Sequence, residues 1–596
     1  MAHTVGTSQR TEHLVFLVLA LFTATYVIAR AALVPWVHDE CASLYWFVER
    51  GEFLPFQAHW DANNHVLSSA IGTAVHRIWG LGLFLSRVGS VLAFFVYAWA
   101  VFNLGKRIQE HLVRWCLWAA LMACPFAIEF FSLFRGYGLE LAFWAVAIEG
   151  LLRLTDAWRT RYVVLTLCAL LLANAAVLAL LPLWAMVVTA LGVLVLWKWR
   201  SCGWTERIGQ STALLLLGVA PLLFGVAIAF ELRDQGLLYH GSTDGFRAVT
   251  VSSLIHYVFA LDGPAVQLVV ILSAALATLA VLLRAPGRTA LVLVAGLLWL
   301  DVLLRISMAE VLGVNYPKDR AAIHFIPLFI LLLAFALDTI LQRWPHARWI
   351  ALFLLSFPLR TLYSLNVSVT SIWPEQSINR ALLEAMATPE GGTPAILGAH
   401  HQLQLVVPYG ARLYGLSVPP VNWEGFPGGR YDRWLVDDRV DVDGRAGYHP
   451  IATLHAKALT LLERDLPQVW QQEREFPLDG GDTEREFMEL WRGDTIADIL
   501  DRVLDVQGAL DSQGAFTSLE LVVTVKDATG SLYYQPIPFA LERPIWNGEK
   551  FRRRVRIPAL PGATSRVVYI WNVHQQAMHY HPLRVNVQVE VKDTLR

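Results

Sequence analysis

Residues 162–197 run for 36 positions without an Asp, Glu, Lys or Arg. As one α-helix rising about 1.5 Å per residue the run would be roughly 54 Å long, against a bilayer hydrocarbon core of about 30 Å. The run therefore predicts two membrane spans joined by a tight hairpin, with Asn174 and Pro182 near the break. Nine further apolar stretches pass the same test, so eleven spans are expected in all: about 14–35, 83–104, 114–131, 137–153, 162–178, 180–197, 210–231, 264–283, 289–308, 321–341 and 347–365.

Composition agrees. The 596 residues are 55% hydrophobic and 16% charged, where soluble proteins carry about 25% charge. Most of the charge follows residue 370. The expected fold is an α-helical polytopic membrane protein of about 11 spans with a C-terminal extracytoplasmic α/β plus β-sandwich region. Expected domains are 1–370 in the membrane, 371–505 as the α/β region and 506–596 as the sandwich. In the α/β region 395–397 and 403–407 read as strands and 452–464 as a helix. Period-2 alternation at 519–525, 551–557, 566–571 and 583–591 predicts sandwich strands. A net charge of −1 supplies no basic field for nucleic acid. All five cysteines lie at or before Cys202, which excludes a disulfide framework from the C-terminal region. The 14–28 run reads as a retained first span, not a cleaved signal.

Lys and Arg set the orientation. The loops near 106–114, 153–161, 198–207, 284–288 and 343–348, with Arg10, carry fourteen; the alternating loops carry seven. The richer set is expected to be cytoplasmic, so everything after 366 is expected outside.

Polar clusters then fall on the expected outer face. Asp39 and Glu40 follow span one, where a carboxylate is an ordinary helix stop, a general base toward an acceptor hydroxyl, or a ligand for a divalent cation. His59, Asp61, Asn63, Asn64 and His65 cluster at the start of an interfacial helix over 63–79, with Asn63 as its cap in the plainer reading. Arg135, beside Tyr137 in a short outer loop, either snorkels or binds a phosphate. Lys318 and Arg320 precede span ten; Arg320 either bridges Asp319 or binds a phosphate. Glu129 reads as a buried or boundary carboxylate. Asp301 and Arg305 are spaced to pair within one helix. Asp437, Asp438, Asp441 and Asp443 read as a solvated turn, and Asn366-Val367-Ser368 is a glycosylation sequon.

In order and placement, these stretches resemble the GT-C glycosyltransferases that use polyprenyl-phosphate sugars, in the branch of protein O-mannosyltransferases and lipid A aminoarabinose transferases. His38-Asp39-Glu40 sits where that family has its first-loop acidic motif. Asn63-Asn64-His65-Val66-Leu67 is similar to its Asn-rich segment, with Val66 in place of a Pro. Ser86-Arg87 with Ser90, Arg135-Gly136-Tyr137-Gly138-Leu139, and 320–327 carry the rest. The resemblance covers about 14–365. It implies transfer of a sugar from a polyprenyl phosphate to an extracytoplasmic glycan, lipid or protein, in a bacterial inner (plasma) membrane. Asp39 would be the catalytic carboxylate. Glu40, His65, Arg135 and Arg320 would line the donor site, with Lys318 a further phosphate ligand. Some members use a divalent cation, Mg or Mn, for which Asp39 and Glu40 are the candidate ligands. The sandwich is similar to carbohydrate-binding domains, with Trp546, Tyr569, Trp571 and Asn572 as sugar-stacking or core positions. The rival readings are an oligosaccharide ligase, a transporter or flippase, and a glycan-binding membrane scaffold.

Overall fold

The computed structural model describes residues 2–283, 288–389, 391–423, 431–437, 445–454, 459–494, 500–512, 519–539 and 547–591. The chain divides into two compact units. One joins Met1–Leu33 to Trp46–Val367, and the other joins Val34–Tyr45 to Ser368–Arg596.

The first unit is helical. Six described helices are long and apolar enough to cross a bilayer: Arg10–Leu33, Leu83–Gly105, Leu178–Trp197, Trp204–Asp234, Pro264–Leu282 and Arg288–Leu312. A seventh is added if His111–Met122 and Pro125–Phe131, bent by 50° at their junction, count as one span. The chain is an integral membrane protein. Pro125 opens the second half of that bent pair and Cys124 before it is extended, as the residue preceding a proline prefers. The other expected spans are helical but do not form long apolar rods. Thr160–Ala176 and Phe325–Leu341 are shorter, and Gly136–Asp156 contains Glu140, Glu149 and Arg153. The stretch expected at 347–365 is a 3-10 segment, Pro345–Leu355, followed by Ser356–Tyr363.

The uncharged run does fold as a hairpin. Thr160–Ala176 ends at an extended Val177. A 3-10 turn over Leu178–Leu180 leads into Leu181–Trp197, with Pro182 in its first turn, where a missing N–H costs nothing. Asn174 remains helical, its amide donating to the Leu170 carbonyl at 2.9 Å. Gly136–Asp156 packs against both Thr160–Ala176 and Leu83–Gly105. Trp118, Trp144 and Trp184 fill the interior.

The second unit holds three sheets. One has five strands in the order Val421–Trp423, Leu397–Ala399, Arg433–Asp437, Leu459–Arg464, Tyr448–Thr453. The first three are parallel and the last two antiparallel. Two expectations change here. The 403–407 stretch lies in a helix, Leu403–Tyr414, because a short apolar run fits either period and the buried Leu403, Val406 and Val407 share one helical face. The expected helix at 452–464 is replaced by the paired strands Tyr448–Thr453 and Leu459–Arg464.

The remaining sheets stack as a sandwich. Ser531–Pro538, Leu519–Lys526, Ser565–Asn572 and Phe487–Asp494 form one. Trp470–Leu478, Leu583–Glu590, Arg502–Ser512, Met578–Tyr580 and Gly481–Thr483 form the other, with Asn547–Ile557 also paired to Arg502–Ser512. Leu521, Val523 and Val568 from the first sheet share one core with Leu504, Val555 and Val585 from the second. The sandwich therefore begins at Trp470, and the boundary expected at 505/506 falls inside a strand. Trp470–Leu478 carries no period-2 apolar signal in the sequence, because its residues are mostly polar and exposed.

Candidate functional site

In the membrane unit, Arg135 is the residue before the Gly136–Asp156 helix, in extended conformation. Its side chain is 1% exposed, so it does not snorkel. The guanidinium carbon lies 5.7 Å from the Tyr137 ring centre, and the Arg135 carbonyl accepts from Ser90 Oγ at 3.2 Å. Tyr137 meets the His65 ring edge-on at 5.0 Å. His65 Nδ1 is 2.9 Å from the Ala176 carbonyl oxygen. That oxygen ends the Thr160–Ala176 helix and has no helical donor. A carbonyl only accepts, so Nδ1 carries the proton.

Two glycines permit this packing. A Cβ on Gly136 would lie 2.1 Å from the Ala176 oxygen and 2.9 Å from His65 Cγ; one on Gly138 would lie 2.6 Å from the Phe130 oxygen. The Arg-Gly-Tyr-Gly sequence is thus a close-packing motif that seats a cation at a helix N-terminus, where backbone N–H groups also favour an anion.

The loop before His65 is built from local bonds. Asn63 N–H donates to Asp61 Oδ1 at 2.8 Å and Asn64 Nδ2 to the Phe53 carbonyl at 3.1 Å. His59 stacks on Trp46 at 4.1 Å, and burial lowers its pKa against the opposing charge of Asp61. The helix that follows is Val66–Trp79, and His65, not Asn63, occupies the position before it.

Arg320 lies 3.6 Å from Asp319, and Lys318 is exposed. Asp319 has φ +44°, a left-handed conformation that Asp tolerates better than most residues. It accepts from His240 Nε2 at 3.2 Å, and its own N–H donates to Ser253 Oγ at 2.8 Å.

Buried charges tie the unit together, and three of these residues, Arg30, Glu140 and His324, have no role in the sequence reading. Arg30 pairs with Glu129 at 2.7 Å and donates to the Asn366 carbonyl at 2.6 Å. Asp301 does pair with Arg305, at 3.1 Å, but His324 Nε2 also reaches it at 3.0 Å. His324 Nδ1 in turn lies 3.7 Å from Glu140, and Arg305 donates to the Ala179 carbonyl. Glu140 was detectable as a carboxylate inside an apolar span; Arg30 and His324 sit at span ends, where sequence gives no partner.

Asp39 and Glu40 belong to the second unit. They lie on a short helix, His38–Ser43. Trp36 packs edge-on against Tyr409, 6.2 Å away. His38 is held twice, its N–H donating to Gln376 Oε1 at 2.9 Å and its Nδ1 2.8 Å from the Gln402 carbonyl. Glu40 is fully buried and its Oε2 accepts the Val37 N–H at 3.1 Å, which makes it a helix cap. Asp39 is half-buried. Of the pair it is the one accessible to a reactant. His400 and His401, rings 4.1 Å apart, are also near: burial, with His38 contributing, lowers both ring pKa values, and Asp437 opposes this at His400. Among the described residues no three His, Cys, Asp or Glu side chains form a metal-holding group.

Tyr569 and Trp571 are half-buried beside exposed Phe487, which stacks on Trp571 at 6.1 Å. Asn572 is buried and bonds the Gln576 carbonyl, a structural role. Trp546, Asp438, Asp441 and Asp443 lie outside the described residues.

The fold defines a polytopic helical membrane protein with a β-rich C-terminal unit. Among solved structures it is similar to ArnT from Cupriavidus metallidurans in the apo state, at 11% identity and TM-score 0.43, over 76% of this chain and 98% of that one. It is also similar to the arabinosyltransferase EmbB from Mycobacterium smegmatis, at 10% identity and TM-score 0.41, over 96% of this chain and 64% of that one. A third is the mycobacterial arabinofuranosyltransferase AftD, at 12% identity and TM-score 0.38, over 95% of this chain and 61% of that one. No family model and no curated protein sequence matches the chain.

Proposed function

We propose that the chain is a membrane glycosyltransferase that moves one sugar from a polyprenyl-phosphate donor to an extracytoplasmic acceptor. The observation that carries this reading is Arg135: a cation 1% exposed, at the N-terminus of a 21-residue helix, where backbone N–H groups also favour an anion. A cation at the positive end of a helix suits an anionic group, and the phosphate of a polyprenyl donor is such a group. The motif order from Asp39 to Arg320 supports the same reaction class.

In the reaction the acceptor hydroxyl oxygen bonds to the anomeric carbon while that carbon's bond to the phosphate oxygen breaks. The hydroxyl proton passes to the Asp39 carboxylate. The leaving polyprenyl phosphate keeps the bonding electron pair, and Arg135 and Arg320 stabilise its charge. His65 and Tyr137 position Arg135.

The test uses the full chain in vesicles with a polyprenyl-phosphate sugar. Asp39→Asn should lower transfer by about 10²- to 10⁴-fold while expression and melting temperature hold; wild-type transfer in that variant removes Asp39 from the chemistry. Arg320→Ala should weaken donor binding more than acceptor binding. A reporter fused after Arg596 should read as extracytoplasmic.

A further inference from the structure

The second unit contains a cleft of about 660 Å³, within the range of about 300–1,000 Å³ that encloses a compact organic ligand. It is bounded by Thr388, Pro389, Gly391, Gly392 and Pro394, the C-terminal turn of the Leu403–Tyr414 helix, the 415–421 segment and the Asn547–Ile557 strand. Four basic side chains line it: Arg412, Lys550, Arg552 and Arg553. Among the described residues that line it there is no Asp or Glu.

Cations on a strand near a sheet edge often serve only to repel other strands, and exposed Lys550 alone would fit that role. The two arginines do not. Arg553 is 1% exposed, its guanidinium 4.5 Å from the Phe539 ring centre and its Nη2 3.3 Å from the Pro538 carbonyl. Arg552 is clamped by Asp505, Nη2 to Oδ2 2.6 Å, and Asp505 is itself buried. These groups are pre-positioned, as a binding site requires and charge repulsion does not.

The remaining lining narrows the ligand. Gln404, Gln507, Thr388 and Ser417 supply amide and hydroxyl groups, and prolines supply carbonyls with no competing N–H. That set suits many hydroxyls. Among the described residues no Trp or Tyr lines the cleft, and its one aromatic side chain, Phe551, is buried, so those residues offer no exposed ring on which a neutral sugar stacks. We infer that this cleft binds an anionic saccharide, one carrying carboxylates or phosphates among its hydroxyls. Arg412 and Lys550 would meet its charges, and Arg552 and Arg553 would order the wall behind them.

Calorimetry of the full chain in zwitterionic lipid discs tests this with no transfer step, so its result is separate from that of the glycosyltransferase reading. Tetragalacturonate should bind, and maltotetraose should not. Lys550→Glu with Arg412→Ala should weaken tetragalacturonate by about tenfold or more at an unchanged melting temperature; Lys550→Glu alone serves if the double variant does not fold. The inference is overturned if tetragalacturonate does not bind, if binding ignores these substitutions, if maltotetraose binds as well, or if inorganic tripolyphosphate binds as tightly. It is also overturned if the two residues are instead needed for capture of anionic phosphatidylglycerol vesicles.

Discussion

His65 Nδ1 and the Ala176 carbonyl oxygen are 2.9 Å apart, and they join the polar loop after Trp46 to the turn that splits the long uncharged run. The contact exists because residue 136 has no side chain. Gly136→Ala would place a methyl 2.1 Å from that oxygen. Overpacking of this kind costs about 1–3 kcal/mol. The variant should melt at lower temperature in detergent and lose transfer. Gly80→Ala is no control, since Gly80 has φ +79°; Gly296→Ala is one, because no atom lies within 4 Å of the added Cβ.

Arg30 and Glu129 are paired with side chains 1% and 5% exposed. Removing one partner of such a pair leaves a buried charge and costs about 3–5 kcal/mol. Arg30→Met and Glu129→Leu should each strongly destabilise the membrane unit, and the double variant should recover part of the loss. Thermal melts of the three variants check this. Additive losses would mean that the pair is not coupled.

Glu140 is fully buried and neither carboxylate oxygen has a hydrogen-bond partner among the described residues. Glu140→Gln keeps the shape and cannot ionise, so it should leave the melting temperature unchanged or raise it. Asp301→Asn should destabilise the fold by about 1–3 kcal/mol and so lower the melting temperature, because Arg305 and His324 then lose a charged partner. Equal effects from both would count against this ranking.

The folded state lowers the pKa of His400 and His401 from the ordinary 6.5. A ring that resists protonation when folded and titrates normally when unfolded stabilises the fold above pH 6.5. That stability is lost as pH falls toward the lowered folded value. Both rings keep solvent contact, so the slope is shallow. The His400→Gln, His401→Gln double variant should melt with less pH dependence between about pH 6.5 and 5 than the wild type. An unchanged slope would assign the acid sensitivity elsewhere.

By itself, the sequence determined that the chain enters a bilayer, that residues 162–197 turn back on themselves, and that its C-terminal third contains period-2 strands. Each follows from local hydrophobic patterning and from the length of a helix against the thickness of a membrane. Motif order also singled out Arg135 and Asp39. Tertiary structure decided what those residues touch. It buried Arg135 beside Tyr137, turned Glu40 into a cap, assigned Val34–Tyr45 to the C-terminal unit, and made a helix of 403–414. It also joined Arg30 to Glu129 and His324 to both Asp301 and Glu140, across 99, 23 and 184 positions. Such partners are chosen by packing between distant segments, and a charge's cost in a low-dielectric interior depends on which partner arrives, a quantity with no local trace along the chain.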